Sequence, residues 1–206
     1  MVEGKTILIA PLAQGYNMEE ILGTEIYDDM RLGHIWYEVA ALQEVIQREQ
    51  PAWFVEVGIH EGGLTWFLLN QYNFNYLGIE INCGIIRPKV KELIYAKDNA
   101  DLICADCFSD KAMFPVSNLD GKKMIYCDGG DKAKELVAYA DILDSGDVIM
   151  AHDFSDLERV VEGWPEYKDS TRPEVLPKDI EFLYRICDRI HEDILKNTRI
   201  IAFKKE

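Results

Sequence analysis

The feature of this sequence that most restricts its fold is the alternation of short apolar runs with helical segments between residues 53 and 151. The runs have the length of buried strands, and the segments between them place apolar residues at helical spacing. Strands are predicted over residues 53–57, 76–81, 101–105, 124–127 and 147–151, and helices over residues 65–72, 87–96 and 132–142. Strands joined by crossover helices form a mostly parallel sheet with helices on both faces, so we predict an α/β fold.

A β-hairpin is predicted at the end of the chain. Residues 190–195 and 199–204 are short, largely apolar runs on either side of a three-residue turn. A helix is predicted ahead of them, over residues 179–189, and another over residues 36–48, ahead of the first strand. Five parallel strands followed by a hairpin are a more specific expectation than an open α/β sheet alone.

The chain length of 206 residues suits one domain. Two segments border its body: an N-terminal cap, residues 1–35, and a loop insertion rich in proline and charge, residues 154–177. Loops over a sheet carry specificity, so we expect both segments to shape the pocket of an acceptor. The cap brings His34 toward this pocket, while Trp164 of the loop either stacks on an acceptor or anchors the loop to the body.

Composition narrows the choice of partners and compartment. The net charge of −15 disfavours binding to nucleic acid or to an anionic membrane. No stretch approaches the roughly 20 apolar residues of a membrane span, and residues 1–13 are too weakly apolar for a secretory signal. The five cysteines are scattered and odd in number, which predicts reduced thiols and a cytoplasmic location. We expect a small-molecule partner, and a homo-oligomer is compatible with this composition.

Acidic or metal-competent side chains stand at the carboxyl end of every predicted strand. They are Glu56, Glu80, Asp106 with Cys107, Asp128 with Asp131, and His152 with Asp153. Taken singly, such residues are more often solvated strand ends or helix caps. Because the carboxyl ends of parallel strands meet at one edge of a sheet, where ligands collect, their joint occurrence favours a functional site.

The loop after the first predicted strand carries the strongest local signal for a ligand. Gly58 permits a tight turn, while Gly62 and Gly63 let the backbone approach a ligand closely. The loop is not a GxGxxG phosphate loop, because the middle glycine is missing and Glu61 would repel a pyrophosphate. An acidic loop suits an amino group or a sulfonium better. Glu80 lies where nucleotide-binding sheets place an acid that binds ribose hydroxyls.

On these motifs the chain resembles the class I S-adenosylmethionine-dependent methyltransferases. The motifs are WFVEVGIHEGG, YLGIEI, LICADC, MIYCDGGD and DVIMAHDF. It looks closest to the metal-dependent small-molecule O-methyltransferases, including the macrolide-sugar O-methyltransferases and the cephalosporin-hydroxylase-like group. The resemblance covers residues 36–154 and the terminal hairpin. It implies a Rossmann-like methyltransferase sheet and methylation of a hydroxyl group on a sugar or natural product.

The resemblance also implies roles for individual residues. S-adenosylmethionine would be bound by Glu56, Gly58, Gly62, Gly63, Glu80, Asp106, Cys107 and Asp128. Asp128 and Asp153 match positions that ligate Mg²⁺ in the metal-dependent branch, with His152 as a third ligand or a neighbour of the ion. Magnesium prefers oxygen ligands, so a histidine leaves room for Mn²⁺ or zinc.

The general base departs from the pattern of the related enzymes. They have a lysine or histidine about three residues after the first metal-binding aspartate, where this sequence has Asp131 followed by Lys132. Asp131, Lys132 and His152 are therefore the candidates that would take the proton of the acceptor. The sequence leaves three other functions open: an aminopropyl transferase, a nicotinamide-dependent oxidoreductase, which the missing GxGxxG disfavours, and a non-catalytic module that binds the cofactor.

Overall fold

The computed structural model of the chain describes residues 26–155 and 174–206. Its strands are β1 (Ile26–Tyr27), β2 (Met30–Arg31), β3 (Trp53–Val57), β4 (Asn75–Glu80), β5 (Ala100–Cys104), β6 (Lys123–Cys127), β7 (Val148–Ala151), β8 (Cys187–Arg189) and β9 (Ile201–Lys205). Its helices are α1 (Trp36–Glu49), α2 (Gly63–Gln71), α3 (Pro88–Tyr95), α4 (Asp110–Ser117), α5 (Lys132–Ala140) and α6 (Glu192–Leu195). Most of the predicted cap and of the predicted loop insertion, Trp164 included, lies outside the described residues.

Seven of these strands form one sheet, in the order β5-β4-β3-β6-β7-β9-β8. Strands β3 to β7 pair in parallel, whereas β9 runs antiparallel to β7 and β8 antiparallel to β9. The predicted sheet of five parallel strands with a terminal hairpin is confirmed. The strand order reverses between β3 and β6, and a crevice opens beyond the carboxyl ends of the strands at such a point.

Apolar layers cover both faces of the sheet, because successive side chains of a strand point to opposite sides. In β3, Phe54 belongs to the layer under α1, α2, α3 and α6, while Val55 and Val57 belong to the layer under α4 and α5. The prediction of helices on both faces is therefore confirmed. Within the described ranges, no helix is long and apolar enough to span a membrane.

The C-terminal segment differs from its prediction. Residues predicted as a helix form two 3₁₀ turns, Pro177–Ile180 and Leu183–Arg185, followed by β8. The first strand of the hairpin is β8, three residues earlier in the chain than predicted, and the segment predicted as that strand contains α6. Pairing with β9 keeps Cys187–Arg189 extended, so the neighbouring strand overrides the local helical pattern.

Helix α4, like α6, was not predicted from the sequence. Helix α4 contains Pro115, a residue that ordinarily breaks helices. Burial of Ala112 and Val116 against the sheet holds the helix in place despite this proline, because the two residues share one helix face.

The prediction of reduced thiols is wrong for two of the cysteines. Cys83 and Cys104 form a disulfide, and Cys107, Cys127 and Cys187 are free. The parallel pairing of β4 with β5 places Cys104 opposite Glu80, so the turn after β4 reaches the end of β5. This neighbourhood depends on strand order and is invisible in the spacing of the cysteines.

Candidate active site

The sheet brings the predicted site residues to one edge. Val57, the last residue of β3, pairs with Ile79 of β4 on one side and with Cys127 of β6 on the other. Cys127 in turn pairs with Ala151 of β7. Glu80, Asp128, His152 and Asp153 therefore follow or end adjacent parallel strands, at the crevice between β3 and β6.

Gly58 lets the loops after β3 and β6 meet at this edge. Its φ is +88°, and a Cβ at this position would lie 2.5 Å from the backbone oxygen of Asp128. A residue with a side chain is excluded by both the conformation and the contact. The loop after β3 consequently lies directly against the loop after β6.

The two glycines at the start of α2 approach protein rather than open space. A Cβ on Gly63 would lie 1.8 Å from the backbone oxygen of Arg31 in β2, and one on Gly62 would lie 2.7 Å from the side chain of Val90. Here the missing side chains let the residues before α1 and those of α3 pack on α2. Contact of Gly62 and Gly63 with a cofactor stays a prediction.

Glu80 at the end of β4 supports the loop that follows β3. Its Oε2 accepts hydrogen bonds from the backbone N–H groups of Ile59 and His60, at 3.0 and 2.9 Å, and its Oε1 accepts one from Asn82 at 2.9 Å. The carboxylate is thus fixed at the edge of the crevice, and its predicted bond to ribose hydroxyls stays a prediction.

Glu56 is buried behind this edge. Its Oε2 accepts hydrogen bonds from the hydroxyls of Thr65, at 2.8 Å, and Tyr76, at 2.7 Å. Burial raises the pKa of the Glu56 carboxyl to about 8, with only partial opposition from these two hydrogen bonds. The carboxyl is therefore largely protonated at neutral pH in the ligand-free chain.

Exposed apolar side chains stand beside the predicted adenine position. Asp106 is exposed and accepts a hydrogen bond from the backbone of Phe108 at 2.9 Å. Cys107 is half-buried, and burial raises the pKa of its thiol to about 12. Ile81, after β4, is 73% exposed and Phe108, after β5, is 43% exposed. Apolar groups at the ends of two adjacent strands are suited to a flat ring, while the predicted contacts of Asp106 and Cys107 stay predictions.

Three metal-competent side chains face one another at the ends of β6 and β7. The Nε2 atom of His34, between β2 and α1, lies 3.4 Å from Oδ2 of Asp128. The Nδ1 atom of His152 lies 3.4 Å from Oδ1 of Asp128. The two imidazole centroids are 4.3 Å apart, and the rings are almost fully buried, with 3% and 4% of each residue exposed. We call His34, Asp128 and His152 the histidine–aspartate cluster.

Each histidine of the cluster is fixed through its other ring nitrogen. Nδ1 of His34 donates to the backbone oxygen of Leu32 at 3.2 Å, since a carbonyl oxygen can only accept. Nε2 of His152 donates to Oε2 of Glu38 at 3.2 Å. The hydroxyl of Tyr126 lies 2.8 Å from Nε2 of His34 and donates to it. Both rings therefore direct one nitrogen at Asp128.

Two cations border the cluster and contact Asp153. Nζ of Lys132 lies 3.2 Å from Oδ2 of Asp153 and 3.5 Å from Oδ1 of Asp128, and it also pairs with Glu174. Nη1 of Arg199 donates to Oδ1 of Asp153 at 2.6 Å. Both oxygens of Asp153, a predicted metal ligand, thus have a cationic partner.

The surroundings of the three side chains predicted as proton acceptors oppose that role in this structure. Burial alone would lower the pKa of His152, but Asp128 and Glu38 outweigh it and raise that pKa to about 10. Burial is likewise outweighed at Lys132, whose pKa lies above its ordinary value because of its carboxylate neighbours. Asp131 caps α5 by accepting the backbone N–H of Lys134, whose ammonium lowers the pKa of Asp131. His152 and Lys132 are thus better suited to stabilise negative charge than to remove a proton, and their catalytic roles stay predictions.

Comparison with known proteins identifies the fold. No family model and no curated protein matches the chain. The apo structure of CmcI-N160 aligns with 96% of this chain and 82% of its own, at a TM-score of 0.63 and 14% identity. A Mg-SAM structure of CmcI-D160 gives the same coverages, with a TM-score of 0.61 and 15% identity. The SAH-bound Podospora anserina methyltransferase PaMTH1 aligns with 82% of this chain and 78% of its own, at a TM-score of 0.56 and 15% identity.

The chain has the class I methyltransferase fold. At these identities the likeness shows the fold alone, and it confirms the resemblance expected from the motifs. In this methyltransferase fold the histidine–aspartate cluster lies where the loops after β6 and β7 meet the residues between β2 and α1.

Sequence reasoning missed the functional surroundings of His34 and Glu38. His34 was expected to shape a pocket, and Glu38 was not singled out. A signal for Glu38 exists, because it is aligned with the buried Leu42 and Val45 at the i, i+4 and i+7 positions of α1. A charged residue within an apolar helix face needs a buried partner, which here is His152 together with Arg199.

Proposed function

We propose that the protein is a methyltransferase that transfers a methyl group from S-adenosylmethionine to a hydroxyl group of a small molecule. The observation that carries the proposal is the arrangement at the reversal of strand order, where the loop at Gly58 contacts Asp128 and the histidine–aspartate cluster lies beside it. Similar folds include SAH-bound and Mg-SAM structures. The net charge of −15 supports a small acceptor rather than nucleic acid.

The residues at the crevice are chemically compatible with S-adenosylmethionine. Glu80 would accept hydrogen bonds from the ribose hydroxyls, and the exposed side chains of Ile81 and Phe108 would pack against the adenine. The carboxylates of Glu80 and Asp128 at this edge favour a ligand that carries an amino group and a sulfonium. When bound, this cofactor supplies a methyl group on a positively charged sulfur.

The chain must orient the acceptor hydroxyl and help it lose a proton. Lys132 and protonated His152 both lie within 4 Å of Asp128 oxygen atoms, so they place positive charge where the acceptor oxygen would become negative. Burial of the cluster strengthens these charges, because little water is present to screen them. A sugar or natural-product hydroxyl is the acceptor class we propose.

The predicted magnesium site does not fit the residues that are present. Magnesium takes a near-octahedral set of oxygen ligands. Asp153 is already bound by Arg199 and Lys132, and the nearest groups to Asp128 on its other side are imidazole nitrogens. We therefore derive no step through Mg²⁺.

Calorimetric titration with S-adenosylmethionine, S-adenosylhomocysteine and NAD tests the proposal. We expect the first two to bind and NAD not to bind. Glu80→Gln should weaken their binding by about 10-fold or more, since it alters hydrogen bonds to a charged group. Asp101→Asn is the matched control, because Asp101 is an exposed carboxylate at the amino end of the adjacent strand β5. Release of S-adenosylhomocysteine over a panel of hydroxyl acceptors then identifies the substrate class. Binding of NAD alone would exclude a methyltransferase.

A further inference from the structure

We propose that His34, Asp128 and His152 form a binding site for one divalent transition metal ion of the zinc type, a site that Mg²⁺ does not occupy. The proposal concerns metal binding and stands without the proposed function. A chain that transfers no methyl group could still hold the ion, so the two proposals can fail separately.

The donor atoms have the spacing of ligands to one ion. One donor atom from each of His34, Asp128 and His152 lies within 4.8 Å of the others. Each imidazole nitrogen is 3.4 Å from its facing oxygen of Asp128, which is longer than an ordinary hydrogen bond. Zinc–nitrogen and zinc–oxygen bonds of about 2.0–2.2 Å put two ligands of a tetrahedral ion roughly 3.4 Å apart. The nitrogens and oxygens are thus separated by about the distance that an ion between them would impose.

The hydrogen bonds behind the two histidines are those of metal-binding imidazoles. Such an imidazole usually donates its other N–H group to a backbone oxygen or a carboxylate. His34 does so to the oxygen of Leu32, and His152 does so to Glu38. Glu38 is itself held by Nε of Arg199 at 3.0 Å. This arrangement is independent of the distances between donors, and it fixes which nitrogen of each ring faces Asp128.

The donor set selects the kind of metal. Two imidazoles and one carboxylate suit zinc and the neighbouring transition metals, whereas Mg²⁺ requires oxygen ligands. In the metal-free chain, the Tyr126 hydroxyl bonds to Nε2 of His34 and the Lys132 ammonium lies 3.5 Å from Asp128. An ion would replace both contacts at these atoms. It would also displace the proton that Nδ1 of His152 carries in the metal-free chain, so the ion would then supply the positive charge at this position.

Three protein ligands leave a coordination position open, as in catalytic zinc sites. The side chain of Asp128 is 21% exposed, whereas the histidines are nearly inaccessible. An exogenous ligand of the ion would therefore have to approach past Asp128. If the proposed methyl transfer also holds, an acceptor hydroxyl on this ion would have a lowered pKa.

The test is a competition titration of the full chain after chelator treatment and dialysis. Zn²⁺ is added in the presence of a chromogenic zinc chelator, and bound metal is counted by elemental analysis. We expect one equivalent of Zn²⁺ to bind and a large excess of Mg²⁺ not to displace it. Displacement by Mg²⁺, or the absence of Zn²⁺ binding, would overturn the proposal.

Variants locate the ion within the fold. His34→Gln and His152→Gln should each weaken Zn²⁺ binding by more than about 100-fold, beyond the typical effect of residues that only support a ligand. His191→Gln is the matched control, because His191 also pairs with a buried glutamate, Glu49, but belongs to a different cluster. Its Zn²⁺ affinity should equal that of the unmodified chain. Binding that survives both cluster variants would contradict the assignment.

A second measurement covers the case in which a cluster variant does not fold. Co²⁺ added to the unmodified chain reports its ligands by visible absorption. We expect the intense bands of a four- or five-coordinate site with nitrogen ligands, and their disappearance on addition of Zn²⁺. The weak spectrum of a six-coordinate site, or a thiolate charge-transfer band from a cysteine, would overturn the proposal.

Discussion

Helix α1 carries two buried glutamates on one face, and the clusters at its two ends differ in how tightly their charges pair. Glu49 receives Nζ of Lys122 at 2.6 Å, Nζ of Lys204 at 2.7 Å and Nε2 of His191 at 2.7 Å. Glu38, at the other end of α1, is hydrogen-bonded to His152 of the histidine–aspartate cluster. There Asp128 has its nitrogen neighbours at 3.4 to 3.5 Å.

The difference separates a structural cluster from a candidate site. Around Glu49, every contact named is at hydrogen-bonding distance, so the charges compensate one another within the protein. Around Asp128, three nitrogen groups lie at 3.4 to 3.5 Å from a partly buried carboxylate. The carboxyl edge of a parallel sheet is where ligands bind, and looser pairing there leaves room for one.

Asp128→Asn gives the largest effect that this comparison predicts. Methyl transfer should fall by about 10²–10³-fold, because the negative charge that faces His34, His152 and Lys132 is lost. The free energy of unfolding should change less than in Glu49→Gln. Steady-state rates and urea unfolding measure the two quantities. Asp141→Asn, an exposed carboxylate after α5, is the control, and equal losses of rate in both variants would refute the assignment.

The disulfide between Cys83 and Cys104 belongs neither to the structural cluster alone nor to the candidate site alone. It is a structural bond, but it stabilises the edge of the sheet that carries the candidate site. Its closed loop spans a sequence separation of 21, which corresponds to about 3 kcal/mol of stability. Cys83→Ser should lower the free energy of unfolding by that amount, and a reductant should lower it equally in the unmodified chain. A reductant effect that persists in Cys83→Ser would show that the stabilisation comes from elsewhere.

Glu49→Gln tests the structural end of the helix. We expect a loss of about 2 kcal/mol, below the full cost of breaking a buried pair because the two lysines are partly exposed. The rate of methyl transfer per folded molecule should stay unchanged. Glu44→Gln, which removes a surface pair with Arg48, should cost about 0.5 kcal/mol or less. A loss of activity in folded Glu49→Gln would mean that the two clusters are coupled.

The two regions also differ in how much the sequence reveals. Strand β3 was predicted with its observed bounds, because its apolar run, interrupted by Glu56 alone, ends at Gly58. Two of the three members of the histidine–aspartate cluster, Asp128 and His152, were predicted as site residues because they follow strands directly, whereas His34 comes from the irregular segment before α1. The bond between His152 and Glu38 joins residues 114 positions apart. Only the packing of α1 on the sheet creates that contact, and no local spacing encodes it.

The smallest predicted effects are changes in the free energy of unfolding per unit of pH. These changes should have opposite signs for Glu49 and Glu56. Burial would raise the pKa of Glu49, but Lys122, Lys204 and His191 outweigh it and lower that pKa to about 2 from an ordinary 4.5. Its stabilisation is present above pH 4.5 and is lost as the pH falls toward 2. Glu56, with a pKa raised to about 8 by burial, stabilises the fold below pH 4.5, and this contribution is lost as the pH rises toward 8.

Urea unfolding across pH therefore separates the two glutamates. Between pH 5 and 7, Glu56 should lower the free energy of unfolding by up to about 1.4 kcal/mol per pH unit, because the unfolded chain releases a proton that the native carboxyl retains. Glu56→Gln should make this decline shallower and leave the acid limb unchanged, whereas Glu49→Gln should make the acid limb alone shallower, because other groups with shifted pKa values contribute to both limbs. A bound sulfonium would favour the ionised form of Glu56. S-adenosylmethionine should therefore make the fall in the free energy of unfolding with pH less steep in the unmodified chain, and it should have no such effect in Glu56→Gln. The same slope with and without the ligand would place Glu56 outside the cofactor's electrostatic reach.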